Sequence, residues 1–172
     1  MPNYLDDLIQ LLGSVRPTKR AQKLYDDAVN SGIFIDHAKA LYGPDPADHF
    51  SVEFGRTASL GDIDALRALI YQNSQRKLAQ GPEVLQVYRG DRWPRQPEDV
   101  LSFSQQQRVA NHFAAPIGKM GAGTVTPYTI PRQFILADAR LATGTFDEAE
   151  ILARLLDTTP AQPLPWKPPL YK

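Results

Sequence analysis

The period of the hydrophobic pattern changes at about Gly81, and this change limits the chain to few folds. Before Gly81, apolar residues recur every three to four positions, as on one face of a helix. After it, short β-branched runs such as residues 83–88 alternate in the manner of strands. Because the helices precede the strands and do not alternate with them, we expect an α+β fold and not a doubly wound sheet.

The helical part, residues 1–80, is expected to contain four helices. Helices are predicted over Leu5–Leu12, from Pro17 to just before Gly32, over Asp36–Leu41, and from about Asp62 to just before Gly81. Pro44, Pro46 and Gly55 indicate a loop between the third and the fourth helix.

The β-rich part, residues 81–159, is expected to hold the functional residues. Strands are predicted over Glu83–Tyr88, Val100–Phe103, Thr124–Ile130 and Arg132–Asp138, with a helix over Gln105–Ala115. Pro127 favours an edge strand or a bulge. Helix propensity favours a helix around Glu148 and Glu150, but we predict a strand there.

Composition excludes several classes of function. The 172 residues carry 19 basic and 19 acidic side chains, so no net charge draws the chain to nucleic acid or membrane. Cysteine is absent, which removes disulfides and thiolate metal sites, and the three histidines show no metal spacing. No apolar run approaches the roughly 20 residues that a membrane helix needs, and no signal peptide is evident. We therefore expect one cytoplasmic domain over 1–172 with a Pro-rich tail, residues 160–172.

A first candidate site residue lies at the end of the first predicted strand. Alternation places Leu85, Val87 and Arg89 on one strand face. An arginine at the edge of a core needs an anionic partner, and its fork suits a phosphate or a carboxylate. The neighbouring Gly90 lets a backbone or a ligand approach closely.

Two further segments carry side chains that can do chemistry. In a strand, Ser102 and Ser104 point to one face, and the helix that follows is expected to bury Val109 and Phe113. Glu148 and Glu150 would also share one face of a strand, whereas a helix would turn them about 200° apart. Each segment also has an ordinary interpretation: a structural ion pair, a helix cap with Ser104 as N-cap, or a solvated helix face.

Taken in order, Arg, Ser-x-Ser and Glu-x-Glu resemble the arginine–serine–glutamate class of mono-ADP-ribosyltransferases. The resemblance covers residues 84–156 and implies N-terminal helices packed on a mainly antiparallel core of two β-sheets. Two features depart from the family pattern. The interval between Arg89 and Ser102 is short, and Phe103 stands where threonine is common.

The resemblance implies NAD⁺ as a substrate, with no metal, and a role for each residue. Arg89 would clamp the phosphates and ribose, Glu150 would stabilise the positive charge at the ribose, and Ser102 would hold both in register. Gly90 and Ser104 would support the bound nucleotide. Glu148 would face the acceptor, and a glutamate there favours arginine. Aromatic residues that could stack on nicotinamide or adenine, although each is more often a core residue, are Phe113, Tyr128 and Phe134.

The implied function is therefore transfer of ADP-ribose to a macromolecular acceptor, first of all an arginine of a protein. Three alternatives remain: an RNA or DNA acceptor, water as acceptor in an NAD⁺ glycohydrolase, or an inactive binding module. A toxin or effector acting in the cytosol, with an antitoxin or immunity partner and no membrane partner, is the setting that the resemblance implies.

Overall fold

The computed structural model describes residues 10, 12–91, 100–117, 121–142, 150–154 and 164–165, which form a mixed α+β fold. Its helices are α1 (Lys19–Val29), α2 (Phe34–Ala40), α3 (Pro46–Phe54), α4 (Leu60–Leu78) and α5 (Gln107–Phe113). Its strands are β1 (Val84–Asp91), β2 (Val100–Ser104), β3 (Thr124–Pro131), β4 (Ile135–Asp138), β5 (Glu150–Arg154) and the short β6 (Leu164–Pro165). Within these ranges, no helix is both long and apolar enough to cross a membrane.

All the described strands belong to one antiparallel sheet in the order β4-β5-β2-β1-β3-β6. This differs from the two sheets that the resemblance implies. The sheet nevertheless comes close to separating in its middle. β1 is in register with β3 along its whole length, from Val84 to Asp91, but with β2 only at the pair Tyr88 and Ser104.

The helices pack against the sheet, and the longest of them also covers an edge strand. Helix α4 buries Ile63, Leu66 and Ile70, as its periodicity predicts. Its polar residues bind the otherwise open edge of β4: Ser74 Oγ accepts a hydrogen bond from Asp138 N at 3.0 Å, and Gln75 Nε2 donates to Ile135 O at 2.9 Å. Contacts of this kind reduce the availability of an edge strand for pairing with another chain.

The loop predicted around Pro44, Pro46 and Gly55 is wrong, because residues 46–54 form helix α3. The Asp45 side chain caps this helix by accepting from Asp48 N at 3.1 Å, and Pro46 occupies its first turn. Gly55 ends it in the left-handed region, at φ 63°. The proline and the glycine therefore mark the two ends of a helix, which is where each is favoured.

Other helix boundaries move by a few residues because side-chain caps fix them. Thr18, one residue after Pro17, caps α1, and Ser59 forms a capping box with Asp62 that begins α4 at Leu60. Of the first predicted helix, only Gln10 and Leu12 fall within the described residues, and both are helical.

The strand predicted at Glu150 is confirmed despite the helix propensity of its residues. β5 lies between β2 and β4 in the sheet, and its residues Ile151 to Arg154 are buried. Both faces of this strand pack against other parts of the molecule, and tertiary packing of this kind overrides a propensity of a few tenths of a kcal/mol per residue.

Helix α5 lies directly on β1 because Gly90 has no side chain. A Cβ atom built on Gly90 would lie 1.7 Å from the carbonyl oxygen of Ala110, well inside contact distance. The close approach foreseen at Gly90 is therefore made by the backbone of α5. The buried residues of this contact are small or flat: Ala110, Ala114, Val125 and the partly buried Tyr88.

We expect Gly90→Ala to lower the free energy of unfolding by about 1–3 kcal/mol, because α5 must move away from β1. Urea unfolding measures this change. Gly121→Ala is the matched control, since a Cβ there meets no atom within 4 Å, and it should change stability by less than about 0.5 kcal/mol. Equal effects of the two substitutions would contradict the packing described for α5.

Candidate functional site

A cavity of about 390 Å³ opens where β1 and β2 diverge, and α2 and α5 complete its walls. The volume lies within the range of about 300–1,000 Å³ that is typical of small-molecule sites. Six residues expected to bind the nucleotide line it: Arg89, Gly90, Ser102, Ser104, Phe113 and Glu150. Glu148, the residue expected to face the acceptor, lies outside the described residues.

Strand register places three of the lining residues in one row across the sheet. Tyr88 of β1 is opposite Ser104 of β2, and Ser104 is opposite Glu150 of β5. Side chains of directly opposed residues project from the same face, with Cβ atoms about 4.5–5.5 Å apart. The serine beside Glu150 is therefore Ser104, whereas Ser102 is opposite Leu152.

Arg89 bridges the divergence between β1 and β2. Its Nη1 donates to the main-chain carbonyl oxygen of Ser102 at 2.8 Å, and its Nε donates to Asp91 Oδ1 at 3.1 Å. The contact with Ser102 was expected, but the main chain makes it and not the hydroxyl. The Arg89 side chain remains 21% exposed, and its Nη2 makes no hydrogen bond within the described part of the chain, so it is open to an anionic ligand.

Ser104 has a structural contact as well as its place in the cavity. Its Oγ accepts a hydrogen bond from Gln106 N at 3.0 Å, which stabilises the turn that leads from β2 into α5. The N-cap of α5 is Gln106, so the interpretation of Ser104 as the cap residue is not correct. Ser104 is thus fixed by the fold at the position next to Glu150.

Val109 and Phe113 do not enter the core, contrary to expectation. Phe113 is 46% exposed, Val109 is half-buried, and both line the cavity. The close contact of α5 with Gly90 admits only the small Ala110 and Ala114 on its buried face. Val109 and Phe113, which directly precede these two alanines, consequently line the cavity. They form an apolar wall that includes an aromatic ring.

The other two aromatic candidates are core residues. Tyr128 is buried and packs edge-on against Phe103, with ring centroids 5.1 Å apart. Phe134 packs at the edge of the same core cluster, and the guanidinium of Arg154 lies 5.9 Å from its ring centroid. Only Phe113, of the three, is placed to stack on a ligand in this cavity.

Asp36 also lines the cavity, although no sequence motif points to it. It belongs to α2, far from β1, β2 and β5 in the chain. An acidic residue in the first turn of a predicted helix has an ordinary explanation, since it interacts favourably with the helix dipole. Its place in the cavity depends on how α2 packs against the sheet, which no local pattern reveals.

Two of the three histidines meet in the fold, although they are distant in sequence. His37 Nδ1 and His49 Nε2 are 2.9 Å apart. Burial, and then the charge of His49, lower the pKa of His37 below its ordinary value. The residues that the structure describes contain no group of three or more His, Cys, Asp or Glu side chains that could hold a metal ion.

The substitution Arg89→Lys tests the bridge between β1 and β2. Lysine cannot donate to Asp91 and to the Ser102 carbonyl with one planar fork, so we expect the free energy of unfolding to fall by about 1–3 kcal/mol. Arg56→Lys is the matched control, because Arg56 binds Asp27 through a single contact of 2.7 Å and its side chain is 39% exposed. It should cost less than about 0.5 kcal/mol, and an equal loss in both variants would refute the bridging role.

The fold thus collects residues from three strands and two helices around one cavity, with a guanidinium and two carboxylates in its walls. Comparisons of the chain with protein-family models, with curated proteins and with solved structures found no match.

Proposed function

We propose that this chain is a mono-ADP-ribosyltransferase that moves ADP-ribose from NAD⁺ to an arginine side chain of a target protein. One observation carries the proposal. Arg89, the Ser102–Ser104 pair and Glu150 come from three separate strands and line the same cavity. In this proposal, the near-separation of the sheet between β1 and β2 corresponds to the two-sheet core of that enzyme class.

The shared cavity weighs against the ordinary interpretations of the three segments. A structural ion pair, a turn-forming serine and a solvated glutamate have no reason to meet around one concave surface. Here Arg89 does form an ion pair and Ser104 does stabilise a turn, yet both also border the cavity together with Glu150. Polar groups that converge in a pocket are the usual mark of a ligand site.

The walls suit the nicotinamide end of NAD⁺. When nicotinamide leaves, the bond from its ring nitrogen to the ribose C1′ breaks and positive charge develops on the ribose. The Glu150 carboxylate stabilises that charge and accepts a hydrogen bond from the ribose 2′-hydroxyl. Arg89 Nη2 binds a phosphate oxygen, and the exposed ring of Phe113 stacks on nicotinamide.

The acceptor completes the reaction. A guanidinium nitrogen of the target arginine attacks C1′, forms the new C–N bond and gives up one proton, so the products are ADP-ribosyl-arginine, free nicotinamide and H⁺. A carboxylate beside the guanidinium orients it and assists the loss of the proton. Glu148 is proposed for this role from the sequence motif. The zero net charge of the chain favours a protein over a nucleic acid as acceptor.

We expect Glu150→Gln to reduce nicotinamide release from NAD⁺ by about 10²–10³-fold, since the amide cannot stabilise the positive ribose. Release is measured with NAD⁺ labelled in the nicotinamide ring. Glu53→Gln, which removes an exposed carboxylate of α3 outside the cavity, is the matched control and should retain the wild-type rate.

A second label, in the adenylate part of NAD⁺, identifies the acceptor after incubation with cell lysate. The proposal predicts label that protease removes and nuclease does not, and Glu148→Gln should lose this transfer while it still cleaves NAD⁺. Label removed by nuclease would mean a nucleic-acid acceptor, and nicotinamide release without labelling would mean a glycohydrolase. Equally slow release by wild type and Glu150→Gln would leave only the inactive binding module.

A further inference from the structure

We infer that Asp36 is a specificity-determining residue that binds the guanidinium group of the acceptor inside the cavity. This inference rests on the proposed function and deepens it, because it names the chemical group by which the acceptor is recognised. Nothing in the motif order assigns a role to Asp36. The reasons are its fixed position, its lack of a partner and the charge of the cavity.

The position of Asp36 is fixed because α2 is anchored along its length. Phe34, Ile35 and Ala38 are buried in the core. The carbonyl oxygen of Leu41, at the end of α2, accepts a hydrogen bond from Arg67 Nε of α4 at 2.8 Å. The carboxylate on the open side of this helix is therefore held at the cavity wall.

The ring of His37, next in the chain, adds to this anchoring. It is 2% exposed, its nitrogen lies 2.9 Å from His49, and its ring centroid lies 4.9 Å from that of Phe54. Since both α3 residues pack against it, α2 cannot rotate without breaking the contact. Asp36 and His37 thus lie on different sides of α2: Asp36 lies on the side that faces the cavity, and His37 lies on the buried side.

Asp36, Asp48 and Glu53 are the acidic residues of the described helical part whose side chains make no hydrogen bond or salt bridge there, and of these three only Asp36 lines the cavity. Asp45 and Asp62 cap helices, and Asp27 and Asp64 pair with arginines. Asp36 makes no hydrogen bond and no salt bridge with any residue that the structure describes. Its carboxylate can therefore bind a ligand without breaking a hydrogen bond or salt bridge to a described residue.

The charges around the cavity favour a cation next to Asp36. Among the described residues that line the cavity, the guanidinium belongs to Arg89, and Asp91 already compensates its charge at 3.1 Å. The carboxylate of Asp36, in the same cavity, is not compensated in this way by any residue that the structure describes. In the proposed reaction Glu150 is engaged with the ribose, so Asp36, which belongs to a different wall, is the described carboxylate that remains for the acceptor.

The bound group is more suitably a guanidinium than an ammonium. A carboxylate and a guanidinium form two parallel hydrogen bonds, whereas an ammonium is a point charge without a preferred plane. Asp36 would therefore distinguish arginine from lysine in addition to attracting positive charge. An asparagine at this position keeps the size but accepts only one such bond and carries no charge.

The test is a titration of the full chain with agmatine, a small arginine analogue, followed by amide chemical shifts in two-dimensional NMR. We expect shifts at cavity residues such as Phe103 and Val109, and a dissociation constant at least tenfold higher in Asp36→Asn. Asp36→Glu should recover part of the affinity, Glu53→Gln should bind as wild type does, and cadaverine, an ammonium analogue, should bind more weakly than agmatine.

A second measurement uses agmatine as acceptor for labelled ADP-ribose. In Asp36→Asn, kcat/KM for agmatine should fall at least tenfold more than kcat/KM for hydrolysis of NAD⁺, with the loss mainly in KM. Equal agmatine binding by wild type and Asp36→Asn, or no agmatine shifts in the cavity, would overturn the inference. Absence of NAD⁺ cleavage by the wild type would instead overturn the proposed function, and the NMR titration would still decide whether Asp36 binds a guanidinium.

Discussion

The hydrogen bond from the Arg89 guanidinium to the main-chain carbonyl of Ser102 is the interaction on which the site depends. It spans the place where β1 and β2 stop being in register, so a side chain replaces part of a backbone ladder. A fully paired sheet would have no opening there. Without the bridge, the pair Tyr88 and Ser104 would be the one remaining register contact between the described residues of β1 and β2. Arg89 thus joins β1 and β2 across the opening that forms the cavity, and its Nη2 remains open to a ligand.

The second constraint is the contact between α5 and Gly90, which determines what faces the cavity from the opposite side. The backbone of α5 lies so close to β1 that only alanines fit between them. Val109 and Phe113 are displaced into the cavity wall as a result. The same short segment, from Ser104 to Phe113, therefore supplies a residue beside Glu150, a supporting turn and an aromatic surface.

The features that could be predicted from the sequence are those that local sequence patterns determine. The strand at Arg89, the serine strand and the long helix α4 follow from periodicity, and the convergence of Arg89, Ser102 and Glu150 was expected from the motif order. Helix α3 does not follow from the sequence patterns because Pro46 and Gly55 are typical of loops, although each also favours a helix end. The burial of α5 and the place of Asp36 could not be predicted. Both depend on how the elements pack in three dimensions. The burial of α5 depends on its close approach to Gly90, which has no Cβ, and the place of Asp36 depends on the contact of Arg67 with the end of α2.

The most direct measurement of the central claim is a crystal structure of the chain with a non-cleavable carbocyclic analogue of NAD⁺. The account predicts that the analogue lies in the cavity between β1 and β2, with its 2′-hydroxyl within hydrogen-bond distance of Glu150 and a phosphate oxygen on Arg89. The account is contradicted if the analogue binds elsewhere, or if crystals grown at a saturating concentration show the cavity without it.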